Sequence, residues 1–242
     1  MLISDRKKFI FVHIFKTGGS SVTRLLGPYV DERYRAPVTH VEGDGWQGTW
    51  HYGGRQHGRL HELRADPLWK ERDLTTYRIC TIVRNPYTWA LSVWNDFYRT
   101  ESGGPRPWFS TLYPSRTFHD YCRFIRAAAL GLNPNVWGSY SQRSFIADPE
   151  LRPAFVGRFE RLQEDVAAMM RFLELPVQLL PHECVSDPGE RAEVWSFYDD
   201  ECLATINEIF TEDFEAFGYE MLTTIPQLAG DVRIAGEKEI RA

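Results

Sequence analysis

The segment His13-Ile14-Phe15-Lys16-Thr17-Gly18-Gly19-Ser20-Ser21 combines residue types that suit an anion. Gly18 and Gly19 let the backbone approach a ligand closely and take conformations closed to other residues. The N–H groups of a helix that starts after them would point at the anion. Lys16 adds a mobile positive charge, and Thr17, Ser20 and Ser21 add hydroxyls. The expected ligand is a phosphate-rich nucleotide. In the common phosphate loop the lysine follows the glycines, whereas here it precedes them. An ordinary strand–turn–helix with an exposed lysine would read the same way.

A second constellation runs from Val83-Arg84-Asn85-Pro86-Tyr87 to Ser92. Arg84 closes an apolar run, and Ser92 falls on the helix that follows. An arginine fork with a hydroxyl suits a terminal phosphate. Taken alone, an arginine before Asn-Pro would also suit a helix cap or a surface ion pair. Proton removal from an acceptor calls for a group with a pKa near neutral. His40, His51, His57, His61 and Glu42 all lie between the two segments. His13 ends an apolar run and reads as a core residue, while His119 and His182 have no context that recommends them. Glu160 and Asp165 suit bracing or capping better than paired-carboxylate chemistry.

Positioning these residues takes an α/β framework. Phe9–Ile14 and Tyr77–Val83 read as buried strands, and Phe155–Phe159 as a third, shorter one. Ser20 or Ser21 is expected to cap the first helix, with Val22, Leu25 and Leu26 on its apolar face. Further helices are expected at residues 61–65, 87–98, 117–129 with Thr117 as cap, 163–173 and 193–210. The start, Met1 to Lys8, is charged, and the apolar stretch after it, Phe9 to Ile14, reads as a buried strand rather than a signal peptide. The expected architecture is three-layer α/β and P-loop-like, with a central, mostly parallel sheet and covering helices. A single domain spans 1–222, with an irregular acceptor-side segment at 28–66 and a tail at 223–242. Ligands of such folds gather at the C-terminal ends of the strands.

Composition narrows the function. A formal net charge of -5 over 242 residues argues against broad nucleic-acid binding. Aromatic residues reach 14%, including 8 Trp. Those at 46–52 and 87–113 would suit stacking on a sugar, and equally a lipid, phenol or peptide. The 4 cysteines are far apart in sequence and are expected to be reduced and buried. No histidine pattern calls for a metal. No apolar run reaches the ~18 residues of a membrane span, so a soluble, cytoplasmic chain is expected.

Phe11-Val12-His13-Ile14-Phe15-Lys16-Thr17-Gly18-Gly19-Ser20-Ser21-Val22 resembles the H-I-P-K-T-G-G-[TS]-S signature of the sulfotransferase superfamily, in particular its carbohydrate and membrane-associated branch. Val83-Arg84-Asn85-Pro86-Tyr87 through Ser92 is similar to that family's 3'-phosphate segment. Residues 156–165 resemble its V-G-R-F-E-x-L-x-x-D, and residues 198–219 its closing helices. The resemblance implies transfer of a sulfuryl group from 3'-phosphoadenosine 5'-phosphosulfate (PAPS) to an acceptor hydroxyl, leaving 3'-phosphoadenosine 5'-phosphate. It implies that Lys16, Thr17, Gly18, Gly19, Ser20 and Ser21 hold the 5' end, with Lys16 also catalytic. Arg84 and Ser92 would hold the 3'-phosphate, and Arg143 would contact the nucleotide. Arg55-Gln56-His57-Gly58 resembles the segment that carries the family's catalytic base, which makes His57 the first choice. The implied acceptor is a carbohydrate or glycolipid-like molecule.

The chain departs from the family pattern at two positions. Phe15 stands in place of proline, and Trp89 in place of a second arginine for which Arg78 or Arg99 could substitute. Two other readings share the local logic: a nucleotide-dependent kinase, and a non-catalytic nucleotide-binding protein of the same fold. The kinase lacks a lysine after the glycines and a clear magnesium-binding carboxylate set.

Overall fold

Phe9-Ile10-Phe11-Val12 is apolar on both faces, as a strand covered on both sides must be. In the computed structural model these four residues form a strand whose side chains are all buried. The structure describes residues 1–32, 36–37, 50–51, 56–66, 69–70, 72–98, 117–131, 139–180 and 194–226, with backbone alone at 36–37, 50–51 and 97–98. The chain begins with β1 (Leu2–Ser4), β2 (Phe9–Val12), α1 (Gly19–Leu26), β3 (Ala36–Pro37), β4 (Trp50–His51), α2 (Leu60–Ala65) and β5 (Arg78–Val83). It continues with α3 (Pro86–Val93), α4 (Phe118–Ala129), α5 (Arg143–Ile146), β6 (Phe155–Arg158) and α6 (Leu162–Phe172). In this numbering α7 is Asp200–Ile209 and α8 is Thr211–Phe217.

The chain divides into two compact units, Met1–Arg84 with Gln142–Val185, and Asn85–Ser141 with Ser186–Ala242. The first unit holds a four-stranded sheet in the order β1-β2-β5-β6. Strands β2, β5 and β6 are parallel, with Val12 opposite Thr81 and Val83 opposite Arg158. They therefore end together at one edge of the sheet. Gly157 permits the close approach of β6 to β5, because a Cβ there would meet the Ile82 side chain at 2.6 Å. The fold is α/β with a mostly parallel sheet, as expected.

The edge strand β1 is an element that the sequence patterning did not anticipate. Leu2 and Ile3 are fully buried and pair antiparallel with β2. The charged turn Asp5–Lys8, with Lys8 in a left-handed conformation, hides so short a strand from sequence patterning. The α6 pattern holds, with Val166, Met169, Met170 and Leu173 buried.

The second unit is helical and aromatic. Tyr87 is buried against Trp195, Tyr198 and Phe214, and its hydroxyl donates to Asn207 Oδ1 and accepts the Leu222 N–H. Thr117 caps α4 as expected, and Asp120 completes a capping box with it. The single helix expected at 193–210 is split: a short turn at Val194–Phe197 ends, and Asp199, in extended conformation, caps α7. A cap with an extended backbone cannot lie inside a continuous helix.

Candidate active site

The loop after β2 turns sharply because Lys16 (φ 60°) and Gly18 (φ 77°) are both left-handed. For Lys16, which has a side chain, this conformation costs about 1–2 kcal/mol. Gly19 has no room for a side chain, since a Cβ there would lie 2.0 Å from the His13 ring. His13 is itself buried, at 2% exposure, which fits the core role expected of it.

Helix α1 then starts differently from the expectation. Its cap is Gly18, no side chain accepts a hydrogen bond there, and Ser20 and Ser21 lie inside the first turn. That turn also contains no acid. Its backbone N–H groups and the positive end of its dipole are therefore not answered by a side-chain carboxylate or cap, which is the condition an anion site requires. Lys16 and Ser20 are half-buried and Ser21 is buried. The Thr17 hydroxyl donates to the Ile14 carbonyl at 2.8 Å and is fully buried, so its proton is committed to holding the loop.

Arg84 lies just beyond β5 and is tied to the same loop. Its guanidinium donates to the Lys16 carbonyl at 3.3 Å and stacks over Phe159 at 4.2 Å. The fully buried Gln142 fixes its backbone, accepting the Arg84 N–H at 2.8 Å and donating to the Arg84 carbonyl at 2.7 Å. One side-chain amide thus continues the strand's hydrogen bonding by one residue. Its neighbour Arg143 is exposed at the start of the short helix α5. At the end of β6, Asp165 accepts the Arg158 N–H at 2.6 Å, a bracing role rather than half of a carboxylate pair.

His57 joins this group from far along the chain. Its Nδ1 lies 3.0 Å from the His13 carbonyl oxygen. A carbonyl only accepts, so Nδ1 carries the hydrogen and, in the neutral ring, the lone pair sits on Nε2. Burial, reinforced by the Lys16 charge, lowers the His57 pKa from 6.5 to about 4, so the ring is neutral at pH 7. The Phe15 ring packs edge-on to His57 and to Phe145, at 5.8 and 5.5 Å, and is itself buried. Phe15 thus provides an aromatic wall for His57.

The other candidates fall elsewhere. His61 is exposed on α2, and His57 precedes that helix, so the two do not share a helical face. Ser92 is half-buried on α3, in the second unit. The side chains of His51, His40, Glu42, His182 and Arg99 lie outside the described residues, as do the aromatics at 46–52 and 99–113. Tyr87, Trp89 and Trp94 are core residues at 1%, 0% and 3% exposure, which removes them as stacking surfaces. Trp89 packs on Phe210. Arg78 does not substitute for the missing arginine. It starts the strand that Arg84 follows, and it is engaged with the Phe172 carbonyl and Glu174. Six strand residues at ~3.3 Å each place it near the opposite end of the sheet.

The sequence model of the sulfotransferase family matches residues 1–220, a span that contains Lys16, His57 and Arg84. The chain belongs to the sulfotransferase family. No curated protein and no solved structure matches it. As a sulfotransferase it is an enzyme of sulfuryl transfer acting on a small-molecule acceptor. Among its described residues, no helix is long and apolar enough to cross a membrane. What sequence reasoning passed over in this sulfotransferase is the clamp of Gln142 on Arg84. A polar residue with no motif around it carries no local signal of burial.

Proposed function

We propose that this sulfotransferase uses PAPS as donor and sulfates a hydroxyl of a carbohydrate or glycolipid-like acceptor, within a functional domain spanning 1–222. The observation that carries the donor assignment is the set of groups gathered where the parallel strands end. Lys16, the side-chain-free start of α1 and the tethered Arg84 supply donors and positive charge without a carboxylate cap. That chemistry fits a phosphate-rich anion. When bound, the donor supplies an activated sulfuryl group.

The protein's residues then have separable tasks. The loop Thr17–Ser21 offers backbone N–H groups and the Ser20 and Ser21 hydroxyls to the 5' end. The Lys16 ammonium stabilises negative charge that grows on the leaving phosphate side. Arg84 holds the 3'-phosphate, its backbone fixed by Gln142, and the shared motif assigns Ser92 to the same phosphate. Arg143 adds a cation toward the nucleotide. His57 accepts the acceptor proton at Nε2, while its Nδ1–H is held by the His13 carbonyl. The carbohydrate class rests on the branch of the family that the first signature resembles.

Calorimetry with 3'-phosphoadenosine 5'-phosphate, without magnesium, tests the donor assignment. Saturable binding is expected, weakened at least about tenfold in Arg84→Ala, the loss of a charge-assisted pair. A folded wild-type chain that gives no heat of binding would sink it. Transfer of labelled sulfuryl to a panel of sugars, phenols and amines tests the acceptor class, and turnover on phenols alone would exclude the carbohydrate reading.

A further inference from the structure

The second unit brings together four metal-ligating side chains that the transfer chemistry does not use. His119 and Cys122 stand three residues apart in the first turns of α4. Asp199 and Cys202 stand three apart at the cap and first turn of α7. Residues so spaced share a helical face, and α4 packs directly on α7. His119 Nδ1 lies 2.6 Å from Asp199 Oδ2 and 3.9 Å from Cys202 Sγ. One ligand atom from each of the three lies within 4.8 Å of the others.

These distances suit a tetrahedral zinc ion. Zinc bonds of ~2.0–2.3 Å separate ligand atoms by roughly 3.3–3.7 Å. Reaching that spacing requires shifts of about 1 Å at most. The His119 and Asp199 side chains are 36% and 51% exposed and have room for it. Cys202 is fully buried beneath them. A neutral imidazole, a carboxylate and a thiolate bring two negative charges, matching a divalent ion. The start of α7 also favours a thiolate at Cys202.

The surroundings carry the argument further. A metal-ligating histidine characteristically turns its other ring nitrogen toward a carboxylate. Here Glu201 Oε2 stands 3.6 Å from His119 Nε2. The Asp199 carboxylate is held at its other oxygen by the Cys202 N–H, at 2.7 Å, which leaves Oδ2 aimed at His119. Cys122 is buried on α4, the helix that packs on α7. An ion pair between helix ends would need only His119 and Asp199. It leaves unexplained why a thiol and a second carboxylate stand at the same imidazole.

We propose that His119, Asp199 and Cys202 form a zinc(II) site that ties α4 to α7, with Glu201 orienting His119. The fourth coordination position faces solvent. On binding, the Cys202 S–H bond breaks, its proton passes to solvent and the sulfur–metal bond forms. The site is separate from the transfer chemistry, so its test does not depend on PAPS.

Cobalt(II) titration of the reduced, chelator-treated full chain provides the test. One equivalent is expected to produce a sulfur-to-cobalt charge-transfer absorption in the near ultraviolet, displaced by an equivalent of zinc. The band should vanish in Cys202→Ser. Asp199→Asn keeps a helix cap and the fold, so it should retain wild-type circular dichroism while weakening cobalt binding at least tenfold. Glu201→Gln should weaken zinc about tenfold, the effect of losing an orienting carboxylate. A folded wild-type chain without the band, or a band unchanged in Cys202→Ser or with unchanged affinity in Asp199→Asn, overturns the proposal.

Discussion

Three helix starts in the second unit and that of α1 in the first are finished in opposite ways. In the second unit, Asn85, Thr117 and Asp199 each accept a first-turn N–H of α3, α4 and α7. In the first unit, α1 starts at a left-handed glycine with no side-chain acceptor and no acid in its first turn. Each side-chain cap stabilises its helix by about 1 kcal/mol. The start of α1 forgoes that gain, and Lys16 carries backbone strain beside it. The lesson concerns division of labour. Asn85, Thr117 and Asp199 spend polar side chains on helix backbone, while the start of α1 spends none.

Substitutions that affect only one side of this contrast test it. The largest effect is expected at Lys16. Lys16→Ala should lower kcat/KM by about 10²–10³-fold, the loss of one preorganised donor at developing charge, with unchanged circular dichroism. A smaller loss would move the charge stabilisation elsewhere.

His57 comes next. Its folded pKa of about 4 lies below the ordinary 6.5, so below pH 6.5 the unfolded chain binds the extra proton. Stability is therefore complete above about pH 6.5 and falls as pH drops toward 4, by up to about 3 kcal/mol. Urea unfolding at pH 7 and pH 4.5 should show this dependence, and His57→Gln should remove that part of it. In the same window kcat/KM, which reports the free enzyme, should stay level from pH 7 to about 5 and fall only below that. An acid limb centred on 6.5 would contradict the neutral ring.

Gly19→Ala should follow, because its Cβ meets the His13 ring at 2.0 Å. Overpacking of this kind costs about 1–3 kcal/mol. Thermal unfolding should shift down by roughly 2–4 °C per kcal/mol for a chain of this size, and nucleotide binding should weaken with it. The smallest effect is expected at Thr117→Ala. Removing that cap should cost about 1 kcal/mol and leave nucleotide affinity unchanged. If Thr117→Ala weakened nucleotide binding as Gly19→Ala does, the division of labour would fail.

Much of the loop after β2 and of the end of β5 was legible because their signals are local. Glycines after an apolar run, a lysine beside them and an arginine closing a second run each act on their immediate neighbours. The Thr117 cap was readable for the same reason. The start of α1 was misjudged because serine is a good cap, yet the left-handed Gly18 begins the helix first. The long helix at 193–210 was misjudged because apolar spacing passes through the break, while Asp199 acts on the backbone. The aromatics at 87–94 could have served a core or a surface, and composition carries no direction for a ring.

By itself the sequence determined the buried strands β2 and β5, the order of loop and helix, the cations at the strand ends and membership of the sulfotransferase family. These follow from side-chain type and short-range spacing. Only the tertiary structure decided that His57 is held through Nδ1 by the His13 carbonyl, that Phe15 forms its wall and that Gln142 continues β5 past Arg84. It alone brought His119 to Cys202. Each of these contacts joins residues far apart in the chain. Their pairing is set by where strands and helices pack, which no local pattern of residue types encodes.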